Sequence, residues 1–212
     1  MGRVTFDISM SLDGFVAGPS ASHEEPLGVG GLQLHEWAFA AARWREAHGE
    51  SGGEAGADDD VIAEAVAASG VTIMGRHMFS GEGGPWGEDP FMGWWGEDPP
   101  FHHPVFVLTH HARETLELGD TSFTFVTDGI ESALEQAQAA AGERDVAVAG
   151  GANVIQQYLR AGLVDGFQVH IAPVLLGGGV PLFDALGTTL PTLEVERVVA
   201  GERATHIRYR CV

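Results

Sequence analysis

The sequence predicts an α/β sandwich: a mostly parallel central sheet flanked by helices, with an antiparallel edge at its carboxyl-terminal end. Three observations predict it. Short valine-rich apolar runs at residues 71–74, 105–108 and 146–149 alternate with helical blocks. Glycines punctuate the boundaries, at Gly70, Gly142, Gly150-Gly151 and Gly162. Two strand-like segments, 193–199 and 204–209, close the chain with no helix between them, so they pair antiparallel.

In chain order, residues 4–10 form the opening strand, and Leu12-Asp13-Gly14-Phe15 turns directly after it. Between 19 and 60 the patterning lapses. Gly-rich and acidic pieces flank one helical block at 34–48, which reads as a mobile, surface-lying insertion. Asp58, Asp59 or Asp60 caps the next helix, 61–68, before Gly70 stops it and the strand at 71–74 begins. Residues 81–103, crowded with Gly, Pro and Trp, form a long ordered loop. Strands at 105–108 and 123–126 precede a helix at 130–141. The strand at 146–149 then runs into Gly150-Gly151 and a helix at 153–160. A strand at 167–171 and a loop at 173–184 lead to the closing pair. The expected organisation is one domain, 1–212, with irregular insertions at about 19–58 and 80–103.

The 212 residues are 44% hydrophobic, enough for one substantial core. No run approaches the ~20 apolar residues of a membrane span. The amino terminus has no basic region followed by a long apolar run, so a cytoplasmic protein without a membrane partner is expected. Cys211 is the single cysteine, which excludes an internal disulfide and a cysteine zinc site. Thirty acids stand against eleven arginines and no lysine, for a net charge of -19. Such a surface cannot easily assemble the basic face that nucleic acid requires. An anionic small molecule still fits wherever a few arginines, histidines and backbone amides converge.

Three strand endings carry such groups. In residues 146–155, VAVAGGANVI, a buried strand breaks at two glycines and enters a helix, whose first turn offers free amides and a positive dipole end. The segment is equally a tight turn or a phosphate site, and it lacks the GxGxxG spacing of ordinary dinucleotide folds. Residues 71–77, VTIMGRH, deliver Arg76 and His77, and residues 105–113, VFVLTHHAR, deliver Thr109, His110 and Arg113. Ligands of open α/β sheets bind outside the strand carboxyl ends, so the three endings support one another. A metal site at His110-His111 is disfavoured, because adjacent residues of an extended segment point oppositely and no carboxylate stands at ligand spacing.

These motifs resemble a known family. IMGRHMF is similar to the GRxT segment of bacterial dihydrofolate reductases, FVLTHHAR to their adenosine-contacting strand end, and VAVAGGANVIQQYL to their Gly-Gly turn. FDISMSLDGFVAG and GLVDGFQVHIAPVLLGGGVPLFD resemble the reductase domain of riboflavin biosynthesis enzymes more closely still. The resemblance covers most of the chain outside the two insertions, with five weak motifs in the right order. It implies a dihydrofolate reductase-like three-layer α/β/α sandwich. It also implies an NADPH-dependent reductase that passes hydride to a small heterocyclic C=N or C=O substrate and needs no metal. Met10, Ala17 and Gly18 would flank the nicotinamide. Gly75, Arg76, His77, Thr109 and His110 would receive the adenosine phosphates, and Gly150, Gly151, Ala152, Asn153, Val154 and Ile155 the pyrophosphate, with a cis Gly150–Gly151 peptide. Relatives also pair, so a homodimer is expected.

Departures bear on the substrate. Met78 replaces the common threonine of the GRxT pattern, which removes a hydroxyl donor to phosphate and bears on the preference for NADPH over NADH; the acid that contacts pterin in folate reductases falls in the rewritten region, so folate reduction is not implied. Only Arg43, Arg45 and Arg113 are available to hold a substrate phosphate. His170 and Asp13 are the candidate catalytic groups. A satisfied buried histidine and a turn aspartate are the plainer readings of the two. Trp37, Phe39, Trp86, Trp94 and Trp95 wall a substrate pocket or staple loops to the core or to a second subunit. Two other functions remain open, a non-catalytic nucleotide-binding homodimer and a structural dimer on the same scaffold. A fused deaminase is excluded, because its zinc signature is absent.

Overall fold

The computed structural model describes residues 2–88, 90–188 and 190–212. In chain order the elements are β1 (Val4–Ser11), β2 (Phe15–Ala17), a 3-10 turn (Gly31–His35), α1 (Glu36–Ala40), α2 (Ala42–Ala47), α3 (Ala57–Ala68), β3 (Ser69–Gly75), α4 (Arg76–Ser80) and β4 (Val105–Leu108). There follow β5 (Leu116–Leu118), β6 (Thr121–Val126), α5 (Ile130–Ala141), β7 (Asp145–Gly150), α6 (Ala152–Arg160), β8 (Gly166–Ala172), β9 (Val180–Pro181), β10 (Leu193–Ala200) and β11 (Thr205–Cys211). One nine-stranded sheet runs β10-β11-β8-β1-β7-β3-β4-β6-β5, and β2 pairs with β9 in a separate ladder. The strands from β8 through β6 are parallel, while β11 and β10 form the expected antiparallel edge. A second antiparallel edge, β5 on β6, lies at the opposite side.

Helices cover both faces. Strand alternation sends Val4, Phe6, Val71, Ile73, Val146 and Val148 into the main core with α5 and α6, where the Phe6 and Phe167 rings stack at 4.5 Å. Helix α6 turns Val154, Ile155, Tyr158 and Leu159 inward at helical spacing, each burial contributing about 1.5–3 kcal/mol for a Val- or Leu-sized side chain. Gly75 lets that helix come close, because a Cβ there would lie 2.8 Å from Val154 Cγ2. On the opposite face, Phe79, Phe123 and Phe125 pack under Trp86 and Trp95, which staple the 81–104 loop to β4 and β6.

The structure corrects three expectations. The 19–60 segment is not a surface lobe with one helix: it buries Leu34, Trp37, Ala38 and Ala41, and its helical block breaks at Ala41, which is extended. Backbone bonds with Glu54 fill that break, and the approach needs Gly53, whose Cβ would lie 2.5 Å from Ala42 Cα. No aspartate side chain caps α3. The helix starts at Ala57 after Gly56, and Asp58 in its first turn is buried against β11 instead. The short helix α4 and the strands β2, β5 and β9 carried no periodic signal of their own, and packing alone fixes them.

Candidate functional site

The sheet opens between β1 and β7. Strand β1 pairs with β8 from Thr5 to Ser11 but with β7 only at Val4 and Thr5, so the two central strands part toward their carboxyl ends. Met10 lies beyond this parting, next to β8 at Ile171. The β2–β9 ladder sits over the end of β1 and holds Ala17 opposite Val180. A Cβ on Gly179, at φ +132, would lie 2.1 Å from the Ala17 carbonyl oxygen, so only glycine allows the two loops to meet here. Gly18 donates its N–H to the Leu27 carbonyl at 2.8 Å.

Across the parting stands the glycine turn. The Gly150–Gly151 peptide is cis, and a Cβ on Gly151 would meet no atom within 4 Å. Helix α6 begins immediately after, with no side-chain cap; the Val154 and Ile155 N–H groups bond the Gly151 carbonyl at 3.0 and 3.3 Å, so the amides left over at the helix start are those of Ala152 and Asn153. Strand β3 places Gly75 beside Gly150, and β4 places Leu108 beside Gly75, so Arg76 and Thr109 emerge next to the turn. The Met78 thioether lies 3.7 Å from the Cβ position of Gly150. The Thr109 hydroxyl is engaged in its own turn, accepting the His111 N–H at 3.2 Å, and His110 is exposed. His77 packs against Gly83. The parallel order β1-β7-β3-β4 thus gathers the predicted cofactor residues along one edge.

Charge is distributed unevenly there. Among the described residues seven arginines form ion pairs with carboxylates: Arg3, Arg43, Arg45, Arg197, Arg203, Arg208 and Arg210. Among the described residues Arg76 and Arg113 do not. The Arg76 guanidinium lies 3.4 Å from the Trp86 ring centre and that of Arg113 lies 4.6 Å from it. Among the described residues Arg76 Nε and Nη1 are buried with no hydrogen-bond partner. Burial, and then the Arg113 charge, lower the Arg76 pKa. Arg113 donates to the Phe91 carbonyl at 2.7 Å. Two guanidiniums that make no ion pair among the described residues, with Glu82 acting on Arg76 only as a minor opposing charge, give this part of an acidic chain a local positive character suited to an anion.

A second polar cluster lies under α1, on the other side of β1. His170 on β8 and His206 on β11 share one proton across 2.8 Å between their Nδ1 atoms, and His206 Nε2 donates to Asp58 Oδ1 at 2.7 Å. His170 Nε2 lies 3.6 Å from Asp7 Oδ1. Trp37 covers both rings, 4.5 Å and 5.0 Å away, and donates to Ser9 Oγ at 2.9 Å. Burial first, then the His206, His35 and Arg208 charges, hold the His170 pKa down at about 3, so its ring is neutral. Asp7 is pushed up to about 6 by burial of its carboxyl against Arg208 and Gln168, which pull it down, although 35% of its side chain reaches solvent. The sequence flagged His170 but neither His206 nor Asp58. The available signal was alternation in THIRYR, which sets His206 on one face with Arg208 and Arg210.

The remaining candidates lie apart. The Asp13 carboxylate accepts the Leu176 and Gly177 N–H groups at 3.1 and 2.7 Å, which anchors the 173–179 loop, and the Ser11 hydroxyl bond leads the effects that lower its pKa. Arg43 pairs with Glu46, and Arg45 donates to the Phe39 and Ser51 carbonyls. Phe39 packs on Trp44, and Trp94 packs on His23 and Phe91, so the five aromatic residues do not gather into one wall. A shallow depression of about 570 Å³ lined by Glu36, Phe39, Arg45, Glu54 and Arg203 lies away from the glycine turn, and Glu54 already holds Arg203.

The sheet order and the parted central strands define a protein of the dihydrofolate reductase-like fold class. The chain belongs to the RibD C-terminal domain family, whose model matches residues 3–207. It is 33% identical over 92 residues to YyaP of Bacillus subtilis and 30% identical over 67 residues to YwjB of the same organism. These matches cover 41% and 32% of this chain and 48% and 38% of the relatives, so the chain spans about half their length or less. Among solved structures it is similar to a protein attributed to riboflavin biosynthesis from Shewanella sp. PV-4, with a TM-score of 0.66 and 21% identity over 99% of both chains. It also resembles RibD of Acinetobacter baumannii, with a TM-score of 0.63 and 17% identity over 100% of this chain and 58% of that one. The bifunctional diaminohydroxyphosphoribosylaminopyrimidine deaminase/5-amino-6-(5-phosphoribosylamino)uracil reductase of Thermotoga maritima gives 0.60 and 14%, over 100% and 57%. No helix among the described residues is long and apolar enough to cross a membrane.

Proposed function

We propose that this chain is an NADPH-dependent reductase that transfers hydride to a small heterocyclic C=N or C=O substrate of the aminopyrimidine type. The observation that carries the reading is the parted β1–β7 edge, with an open glycine turn, a helix amino terminus and two arginines that make no ion pair among the described residues. These residues fit an anionic dinucleotide. Gly150 to Ile155 would hold the pyrophosphate, Gly75, Arg76, His77, Thr109 and His110 the adenosine phosphates, and Met10, Ala17 and Gly18 the nicotinamide. NADPH supplies the hydride when bound; the protein supplies positioning and exclusion of water. The aminopyrimidine class follows the reductase names of the structurally similar proteins, and it is a proposal for this chain.

One observation favours a second reading, a nucleotide-binding protein without catalysis: the candidate catalytic ring of His170 is buried under Trp37 at 4.5 Å. Calorimetric titration with NADPH and NADH tests the shared part. Arg76→Ala should weaken NADPH at least about tenfold, the ~1.5–3 kcal/mol of a charged hydrogen bond, and Gly151→Val should block the turn. No binding to the wild-type chain would remove both readings. Binding without hydride loss, followed at the nicotinamide absorbance with a carbonyl and imine panel, would select the second.

A further inference from the structure

We propose that the buried row Asp7, His170, His206 and Asp58 carries one proton more than two neutral imidazoles supply, held on His206 as an imidazolium, and that this proton locks α3 and the Trp37 cover onto the sheet. The bonding pattern leads to it. Three contacts link the four groups: Asp7 Oδ1 to His170 Nε2 at 3.6 Å, His170 Nδ1 to His206 Nδ1 at 2.8 Å, and His206 Nε2 to Asp58 Oδ1 at 2.7 Å. Each sets lone pair against lone pair unless a proton stands between the two atoms. Asp7 Oδ1 already accepts the Gln168 amide at 3.0 Å, and Asp58 Oδ2 accepts the Arg203 backbone N–H at 2.9 Å, so both carboxylates face the rings as acceptors. The Asp7 contact is an ion-pair distance, longer than a hydrogen bond, and it orients His170: a bare Nε2 there would meet a carboxylate oxygen with nothing between them. His170 therefore carries its hydrogen on Nε2, which leaves Nδ1 bare. The 2.8 Å bond is then donated by His206, whose other nitrogen donates to Asp58. A ring with two N–H donors is cationic.

The groups packed around the row balance that charge. On β11, Arg208 bonds Glu64 of α3 and Gln168 of β8; in the turn before β11, the Arg203 guanidinium pairs with Glu54. Both arginines are thus matched by carboxylates of their own. From the 3-10 turn comes His35, whose pKa burial lowers, so that ring adds no charge. Strand β10 contributes only Val199 beside His206. Asp7 and Asp58 are left facing the two rings, and one imidazolium between them is their counter-charge. The Trp37 ring centre, 5.0 Å from that of His206, lies within the range at which an indole attracts a cation. The His206 side chain is fully buried, whereas Asp7 reaches solvent with 35% of its side chain, so protons exchange with the row at the Asp7 end. Loss of the extra proton sets two lone pairs against each other inside the protein. Helix α3, which carries Asp58, and Trp37, which bonds Ser9, are the elements seated on it.

Nitrogen-15 NMR of ring-labelled histidines in the full wild-type chain tests this without any substitution. The pair identifies itself by scalar coupling across its N–H···N bond. At about pH 7.5, a unit above the ordinary histidine value, both His206 ring nitrogens should be protonated and His170 Nδ1 should not. A bare nitrogen on His206 would overturn the proposal. Stability carries the same signature, with its sign set by counting protons. The two folded rings hold three, while in the unfolded chain they hold four below ~6.5 and two above it. Unfolding should therefore become easier as pH rises past ~6.5, by up to about tenfold in the equilibrium constant per pH unit until the proton leaves. Two neutral rings would instead give a plateau there. Urea unfolding across this range reads the difference, and Asp58→Leu with His206→Leu should abolish the alkaline fall. A wild-type plateau, or a fall that persists in the double variant, would each refute the lock. Should the double variant not fold, the ring nitrogens of the wild type decide alone.

Discussion

Replacement of Asp58 by alanine should be among the most damaging single changes outside the parted β1–β7 edge. Asp58 accepts the His206 Nε2–H at 2.7 Å through Oδ1 and the Arg203 backbone N–H at 2.9 Å through Oδ2. Its side chain is 9% exposed, and that of His206 is fully buried. The buried His206 donor cannot turn to water when the carboxylate is removed, whereas the part-buried Arg203 N–H can do so in part. One orphaned buried donor and one part-buried donor at about 1–3 kcal/mol each, together with the space left by the removed carboxylate, add to a loss of about 4 kcal/mol. For a domain of this size that lowers Tm by roughly 8–16 °C, a large part of the ~5–15 kcal/mol that domains have. Urea unfolding followed by circular dichroism measures it, with the slope as a check that the transition stays two-state. Asp58→Asn keeps one acceptor and should lose less. Asp58→Leu combined with His206→Leu removes donor and acceptor together and should recover part of the loss. A fall below ~1 kcal/mol for Asp58→Ala at unchanged slope would refute the claim that this network fastens α3 to the sheet.

Two further outcomes follow from local geometry. His103 lies 2.8 Å from Thr72 Oγ1, and burial first, then Arg144 and His102, lower its pKa from 6.5 to about 4. The unfolded chain takes up that proton first, so the stabilisation is complete above pH 6.5 and is lost as pH falls toward 4. His103→Gln should flatten the acid limb of Tm against pH, and an unchanged limb would contradict the assignment. Gly179→Ala should cost roughly 2 kcal/mol or more and weaken NADPH together, because its Cβ forces β9 off the Ala17 carbonyl. Thermal shift with and without cofactor reads both effects.

Elements whose information is local were legible. The strand Val105–Leu108 and the helix Ile130–Ala141 have the bounds that their apolar spacing and the following glycine predict. The Gly150-Gly151 break was likewise visible, because a glycine pair between a valine strand and a helix has few other uses. The break at Ala41 was not, since it depends on Gly53 and Glu54 arriving from outside the helix. Asp58 read as a helix cap because the sequence shows its neighbours along the chain and not His206, 148 residues away.

The sequence by itself determined the alternation of strands and helices, the glycine turns, the net acidity and the positions of Arg76, Thr109 and Gly150-Gly151 at strand ends. Each of these follows from side-chain period, backbone freedom or charge within a few residues. Only the tertiary structure decided that β1 and β7 part beyond Thr5, that Arg76 and Arg113 meet over one indole, and that Trp37 closes over two histidines. Those arrangements depend on the order of strands in the sheet and on contacts between distant segments, which burial and hydrogen-bond satisfaction select only when the whole core closes.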